Sequence, residues 1–231
     1  MRRLLLAILI PAILVIGIVA LAGCSGNNIP QNAQTPIVKQ TENNASIPNG
    51  VDTDKDSIPD NAEKVLGTDP LSSDTDGDGV NDKEDKNPVN VDTEPVKTTG
   101  TNDFSIKEIL VENNYDSIAK KDAPDHLEIL LINSGENDIS KMDVFYSITD
   151  LKTNQKQSYL VPLNGFTLEK GSQKSVHIDT ETGKNHFRAN PNSLYYTSTD
   201  EMRIDVIVNA INHQAQERSV NKDAGGAEVA D

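Results

Sequence analysis

What most limits how this 231-residue chain can fold is an acidic pattern with a 22-residue period: Asp-Thr-Asp-x-Asp-x-x-x-Asp begins at Asp52 and again at Asp74. Counted as twelve-residue loops, the copies carry carboxylates at positions 1, 3, 5, 9 and 12. These are Asp52, Asp54, Asp56, Asp60 and Glu63, then Asp74, Asp76, Asp78, Asp82 and Asp85. Alternate side chains on a tightly curled backbone converge on one point, and a hard divalent cation such as Ca²⁺ needs about six to eight oxygens there. The position-7 carbonyl, from Ile58 or Val80, would add one more. Gly79 at position 6 is free to turn left-handed, whereas the first copy has Ser57 at that place. Without a cation, this many like charges would repel one another.

The residues around the loops separate the folds that use such a pattern. An EF-hand wants an apolar residue at position 8, where this chain has Pro59 and Asn81. A dockerin follows each loop with a full helix, and only Lys64 to Ser73 lies between these two. That leaves room for one or two helical turns at Asn61 to Leu66, stopped by Gly67. The spacing, the intervening Gly67-Thr68-Asp69-Pro70 and the trailing Asp85-Lys86-Asn87-Pro88 resemble thrombospondin type 3 repeats of secreted prokaryotic proteins. The resemblance covers residues 52 to 90. It implies calcium held by these aspartates on a chain with little regular secondary structure. Asp69 is a candidate for a further oxygen between the two sites.

Residues 51 to 94 hold 14 acidic and 4 basic side chains, a net −10 of the chain's −15. A polyanion of this kind argues against nucleic acid as a partner. At the N-terminus two arginines precede an apolar run from Leu4 to Ala22, which reads as an export signal over residues 1–23. Leu21-Ala22-Gly23-Cys24 resembles the lipobox of prokaryotic lipoproteins, which implies a lipidated Cys24 as the first mature residue and a membrane-anchored, extracytoplasmic chain. An uncleaved membrane anchor is the alternative, with the same location. Residues 24–50, rich in Ser, Thr, Asn, Gln, Gly and Pro, read as a disordered tether; they include the sequon at Asn44.

After the repeats at 51–92 and a polar linker at 93–101, residues 102–222 change to short β-rich runs, followed by a tail at 223–231. Strands are expected at 104–111, 127–132, 144–148, 158–163, 175–178, 202–211 and 215–220, separated by Asn/Gly turn signals. The fold class is therefore mainly β, an immunoglobulin-like antiparallel β-sandwich preceded by irregular calcium-binding repeats. Leu127 to Gly135 resembles a segment common in Ig-like domains of archaeal and bacterial surface proteins. A core of Ile106, Ile109, Leu127, Ile129, Ile132, Val144, Tyr146, Ile148, Val176, Ile204, Val206 and Val208 is expected to fold without repeats or metal.

Nothing in the pattern points to an enzyme. His126, His177, His186 and His213 stand apart in sequence, no nucleophile or phosphate-loop motif occurs, and the lone Cys is the lipidation candidate. His177 and Asp179 share a strand face and read as an exposed pair. The long segment 180–201 holds Phe187, Tyr195 and Tyr196. Either Ser193 to Thr197 is an eighth strand whose aromatics fill the core, or the segment is a recognition loop presenting Phe187, Arg188, Tyr195 and Tyr196. The expected function is a calcium-stabilised, non-enzymatic structural or binding module of the cell envelope. The alternatives are an adhesin or scaffolding subunit that recognises an extracellular protein or glycan through 180–201, and an extracellular enzyme.

Overall fold

In a computed structural model of the chain, the structure describes residues 50–111, 115–116, 121–122 and 127–225. The signal segment, Cys24, the tether with Asn44 and the end of the tail lie outside the described residues. Among the described residues no helix is long and apolar enough to cross a membrane.

The protein is mainly β. Helix α1 (Asp60–Leu66) lies within the repeats. The strands follow as β1 (Phe104–Leu110), β2 (Tyr115–Asp116), β3 (Lys121–Asp122), β4 (Leu127–Asn133), β5 (Ile139–Ser140), β6 (Met142–Asp150), β7 (Lys156–Pro162), β8 (Thr167–Leu168), β9 (Gln173–Asp179), β10 (His186–Arg188), β11 (Met202–Ala210) and β12 (Gln216–Lys222), with helix α2 (Leu194–Thr197) before β11. One four-stranded sheet runs β1-β4-β9-β10 and the other β12-β11-β6-β7. All neighbours in these sheets are antiparallel except β9 and β10, which run parallel.

Alternation builds the core. Met202, Ile204, Val206 and Val208 of β11 and Val144, Tyr146 and Ile148 of β6 join Leu127, Ile129 and Leu131 of β4 in one buried cluster, to which both sheets contribute. Two expected core residues differ. Ile132 is only half-buried because Leu131, one place earlier, has the inward phase in β4. Ile106 packs against the core without being fully buried, and a register shift between Ile106 and Glu108 lets Phe104 and Ile109, five residues apart, both point inward.

The expected helical turns form as α1 and end where expected. Gly67 takes a left-handed φ of 84° and its N–H bonds to the Glu63 carbonyl. The repeats, expected as a separate spacer, belong to one compact unit with the two sheets. Asn90 pairs in parallel with Ser158 of β7. The 93–101 stretch also lies on the body: Thr98 N–H donates to Asn209 Oδ1 at 3.1 Å and Thr101 N–H to the Asn212 carbonyl at 3.1 Å. Gly100 is required there, since a Cβ would stand 1.9 Å from the Asn212 carbonyl oxygen.

Candidate metal centre

The two acidic loops have the same backbone in duplicate. Positions 4 and 6 are left-handed in both, at φ 69° and 78° for Lys55 and Ser57 and at 81° and 96° for Gly77 and Gly79. The sequence pointed to position 6; position 4 carries no glycine signal in the first copy, where Lys55 occupies it. The position-1 carboxylate holds both turns. Asp52 accepts from the N–H groups of Lys55 (2.8 Å) and Ser57 (3.2 Å), and Asp74 from those of Gly77 and Gly79 (2.9 Å each). Position 3 accepts from position 5, with Asp56 N–H to Asp54 at 3.1 Å and Asp78 N–H to Asp76 at 3.0 Å. Position 5 accepts from position 7, with Ile58 N–H to Asp56 at 2.6 Å and Val80 N–H to Asp78 at 2.9 Å. In positions 3 and 5 that bond engages Oδ1; Oδ2 faces elsewhere, and that of Asp78 accepts from the Asp92 N–H at 3.4 Å.

Those other oxygens are the informative atoms. Oδ2 of Asp54, Asp56, Asp76 and Asp85 and Oε2 of Glu63 are buried with no hydrogen-bond donor. Glu63 is fully buried, Asp56 is 3% exposed and Asp76 is 1% exposed. A buried carboxylate oxygen without a donor costs several kcal/mol unless a proton or cation meets it. The titration of these groups reflects the same strain. Burial, with the charges of Asp54 and Asp56 added, pushes Glu63 up to about 7. Burial, opposed by the Asp78 backbone N–H and reinforced by Asp78, Asp85 and Asp74, pushes Asp76 up to about 7. Asp54 is also raised, chiefly by burial.

Oxygens of Asp52, Asp54 and Asp56 lie within 4.8 Å of one another, as do those of Asp74, Asp76 and Asp78. With only carboxylates and carbonyls as donors, the loops fit a hard cation and not a thiophilic one. Ile58 and Val80 occupy position 7 of each loop, following the last of these aspartates. Glu63 and Asp85 close the loops at position 12, each with one unsatisfied oxygen.

Position 9, like position 1, has both carboxylate oxygens engaged by the loop itself. Asp60 accepts from both the N–H (2.8 Å) and the hydroxyl (2.7 Å) of Thr53, and Asp82 likewise from Thr75 (2.7 and 2.6 Å). These two carboxylates staple position 9 to position 2, so both of their oxygens already have donors. Asp82 does more: it is 4% exposed and groups with Asp56 and Glu63, with ligand oxygens all within 4.8 Å. The second copy thus reaches the first copy's site. Burial raises its carboxyl group against the Thr75 hydrogen bonds, and Asp56 is among the charges that add to the shift.

Asp69, the candidate extra oxygen, is engaged elsewhere. Its carboxylate accepts Arg188 Nε at 2.5 Å and Nη2 at 2.6 Å. This bidentate clamp, with Asn190 Nδ2 donating to the Gly67 carbonyl and Asn192 Nδ2 to the Thr68 carbonyl (2.7 Å each), ties the 180–201 segment to the repeats. Arg188 is therefore an internal ion-pair partner. Ser193 to Thr197 is not an eighth strand: its backbone closes a helical turn, with Thr197 N–H on the Ser193 carbonyl and Ser198 N–H on that of Leu194. Tyr195 is 5% exposed in the core, and Phe187 and Tyr196 pack against it.

One more group has metal-ligand chemistry. Asp179, Glu181 and His186 bring ligand atoms within 4.8 Å. Asp179, expected to be exposed, is 4% exposed; it accepts from Glu181 N–H at 3.0 Å and lies 2.9 Å from His186 Nδ1. His177 and His186 stack at 4.8 Å because parallel β9 and β10 place them side by side. Only residues 180–185 separate the two strands, and no local pattern announces a parallel pairing across so short a connection. The Asp179 oxygens are already bonded, and none of this group's carboxylate oxygens is buried without a donor as those of Asp54, Asp56, Glu63, Asp76 and Asp85 are.

The chain matches no protein-family model and no curated protein.

Proposed function

We propose that this is a calcium-binding lipoprotein of the prokaryotic cell surface, anchored outside the cytoplasmic membrane through Cys24. In this reading, two thrombospondin type 3-like repeats bind Ca²⁺ and brace an Ig-like sandwich, and the whole acts as a non-enzymatic structural or binding module. One observation carries the calcium reading: duplicate loops aim buried, donorless carboxylate oxygens inward. The first ion would be held by Asp52, Asp54, Asp56 and Glu63 with Asp82 beside it, the second by Asp74, Asp76, Asp78 and Asp85. The ion supplies the positive charge that makes these buried carboxylates tolerable, and the residues orient the oxygens before it arrives.

The sandwich reading rests on two four-stranded sheets sharing one core. The reading of 180–201 as a recognition loop is weakened, because Arg188 and Tyr195 have internal partners. The test is calorimetric titration of Ca²⁺ into the full chain and into an Asp54→Ala/Asp76→Ala variant. Binding in the range of extracellular modules, about 10⁻⁴ to 10⁻³ M, lost in the variant, is the expected result. Equal heats in both would sink the ligand assignment. Mass spectrometry of the mature N-terminus tests the anchor, and an unmodified Cys24 would reject it.

A further inference from the structure

Strand β7 is the last strand of its sheet, so one row of its backbone groups has no neighbouring strand. An open row of this kind is a template for pairing with another chain. Here the acidic segment supplies the missing partners. Ser158 N–H donates to the Val89 carbonyl at 3.1 Å, and Val91 N–H donates to the Ser158 carbonyl at 3.3 Å. Two residues along, Leu160 N–H donates to the Asp76 carbonyl at 2.7 Å. Asp76 is, with Asp85, one of the two second-loop residues whose buried Oδ2 lacks a donor. Its side chain faces the ion site while its main chain closes the sheet edge, so one residue joins the two.

Gly77 shows how close the approach is. A Cβ built there would stand 2.0 Å from the Leu160 carbonyl oxygen. The loop conformation itself does not exclude a side chain, because Lys55 occupies the same place in the first copy at φ 69°. Glycine at 77 therefore serves the contact with β7 in addition to the turn. At Gly79, by contrast, a Cβ would meet nothing within 4 Å.

We propose that the second acidic loop is a calcium-held cover for the β7 edge, and that the calcium-free chain pairs with a second copy of itself through that edge. Without an ion, Asp74, Asp76, Asp78 and Asp85 repel and the loop loses the shape that holds Asp76 and Gly77 against Leu160. The stretch Ser158-Tyr159-Leu160-Val161, whose backbone edge is uncovered when the loop leaves, carries no charge to discourage pairing. An antiparallel two-fold pairing about Tyr159 would set Ser158 of one copy opposite Leu160 of the other, matching the same backbone groups that the acidic segment covers. Calcium would in this way control self-association of the protein outside the cell.

The proposal rests on the calcium reading, and the experiment separates the two. Amide hydrogen exchange at Ser158 and Leu160, with sedimentation in detergent, is measured on the full chain in millimolar Ca²⁺ and in chelator, for wild type, Gly77→Ala and Gly79→Ala. The expected result is slow exchange and monomer with Ca²⁺, at least tenfold faster exchange and dimer in chelator, and an open edge in Gly77→Ala even though calorimetry still shows Ca²⁺ bound. Gly79→Ala, which carries comparable backbone strain away from β7, should keep the edge closed when loaded. No Ca²⁺ heat in wild type would reject the calcium reading itself. Ca²⁺ binding with unchanged exchange at Ser158 and Leu160 would overturn the cover, and an open edge on a chain that stays monomeric would overturn the self-pairing.

Discussion

Arg188 and Asp69, 119 residues apart in sequence, form a two-bonded ion pair that joins β10 to the segment between the acidic loops. The Asp69 side chain is 3% exposed while that of Arg188 is 36% exposed. The carboxylate therefore depends on this cation more than the cation depends on it. Removing Arg188 leaves a buried charge that keeps the hydrogen bond from the Leu71 N–H. We expect Arg188→Ala to destabilise the protein by about 3 kcal/mol, in the range for breaking a buried pair from one side. An Arg188→Leu/Asp69→Leu double variant should lose less than Arg188→Ala. Thermal melts in saturating Ca²⁺ check this, and additive losses would show that the pair is not coupled.

The two loops should differ in affinity. Lys55 and Ser57 hold left-handed φ values that cost about 1–2 kcal/mol each in a non-glycine residue, whereas Gly77 and Gly79 occupy the same positions freely. Glu63 works the other way, since its longer side chain reaches an ion bidentately more easily than Asp85 can. The backbone effect is counted twice, so the second site should be the tighter. Calorimetric titration of Asp54→Ala and Asp76→Ala would reveal it, the larger loss of high-affinity binding falling on Asp76→Ala. Lys55→Gly and Ser57→Gly should each tighten the first site by up to about tenfold.

Asp82 gives a sharper contrast with its counterpart. Both Asp60 and Asp82 brace a threonine, but only Asp82 lies with Asp56 and Glu63 of the first site. Asp82→Asn should therefore weaken both ions, whereas Asp60→Asn should weaken the first alone. Titrations of the two variants settle this; an intact first site in Asp82→Asn would remove it from that ion.

Protons and calcium should compete at Glu63 and Asp76. Both are raised to about 7 in the folded chain from ordinary values of 4.5 and 3.8. A raised carboxyl group binds its proton more tightly when folded, so without metal its contribution to stability is complete below its ordinary value and fades as pH climbs through 7. Calcium needs the ionised form, so its affinity should fall below pH 7, by up to about tenfold per unit for each group. Melting temperatures with and without Ca²⁺ should nearly coincide near pH 5 and diverge by pH 8. Asp150 and Glu169 are shifted down, Asp150 mainly by the Thr153 N–H and Glu169 by Lys174, and they act with the opposite sign. Their contribution is lost only below their ordinary values, in a lower window. Parallel curves across pH 5 to 8 would contradict the assignment.

Much of this molecule is written locally. Period-two alternation marked β6 and β11, because inward phase is a property of neighbouring residues, whereas β2, β3, β5, β8 and β10, two or three residues long, are too short to show it. The 22-residue acidic period marked both loops, and Gly67 marked the end of α1, since turn and cap conformations depend on a few adjacent side chains. The tertiary structure decided the rest. It turned Ser193 to Thr197 into a helical turn, whose first N–H, that of Leu194, is taken by Gln157 Oε1 and whose Tyr195 fills the core. It gave Asp69 to Arg188, moved Asp82 towards the first copy's site, and laid Val89 and Asp76 along β7. These partners meet across tens to more than a hundred residues. Spacing within a segment can show that oxygens converge, but only packing decides which of them already have a donor and which are left without one.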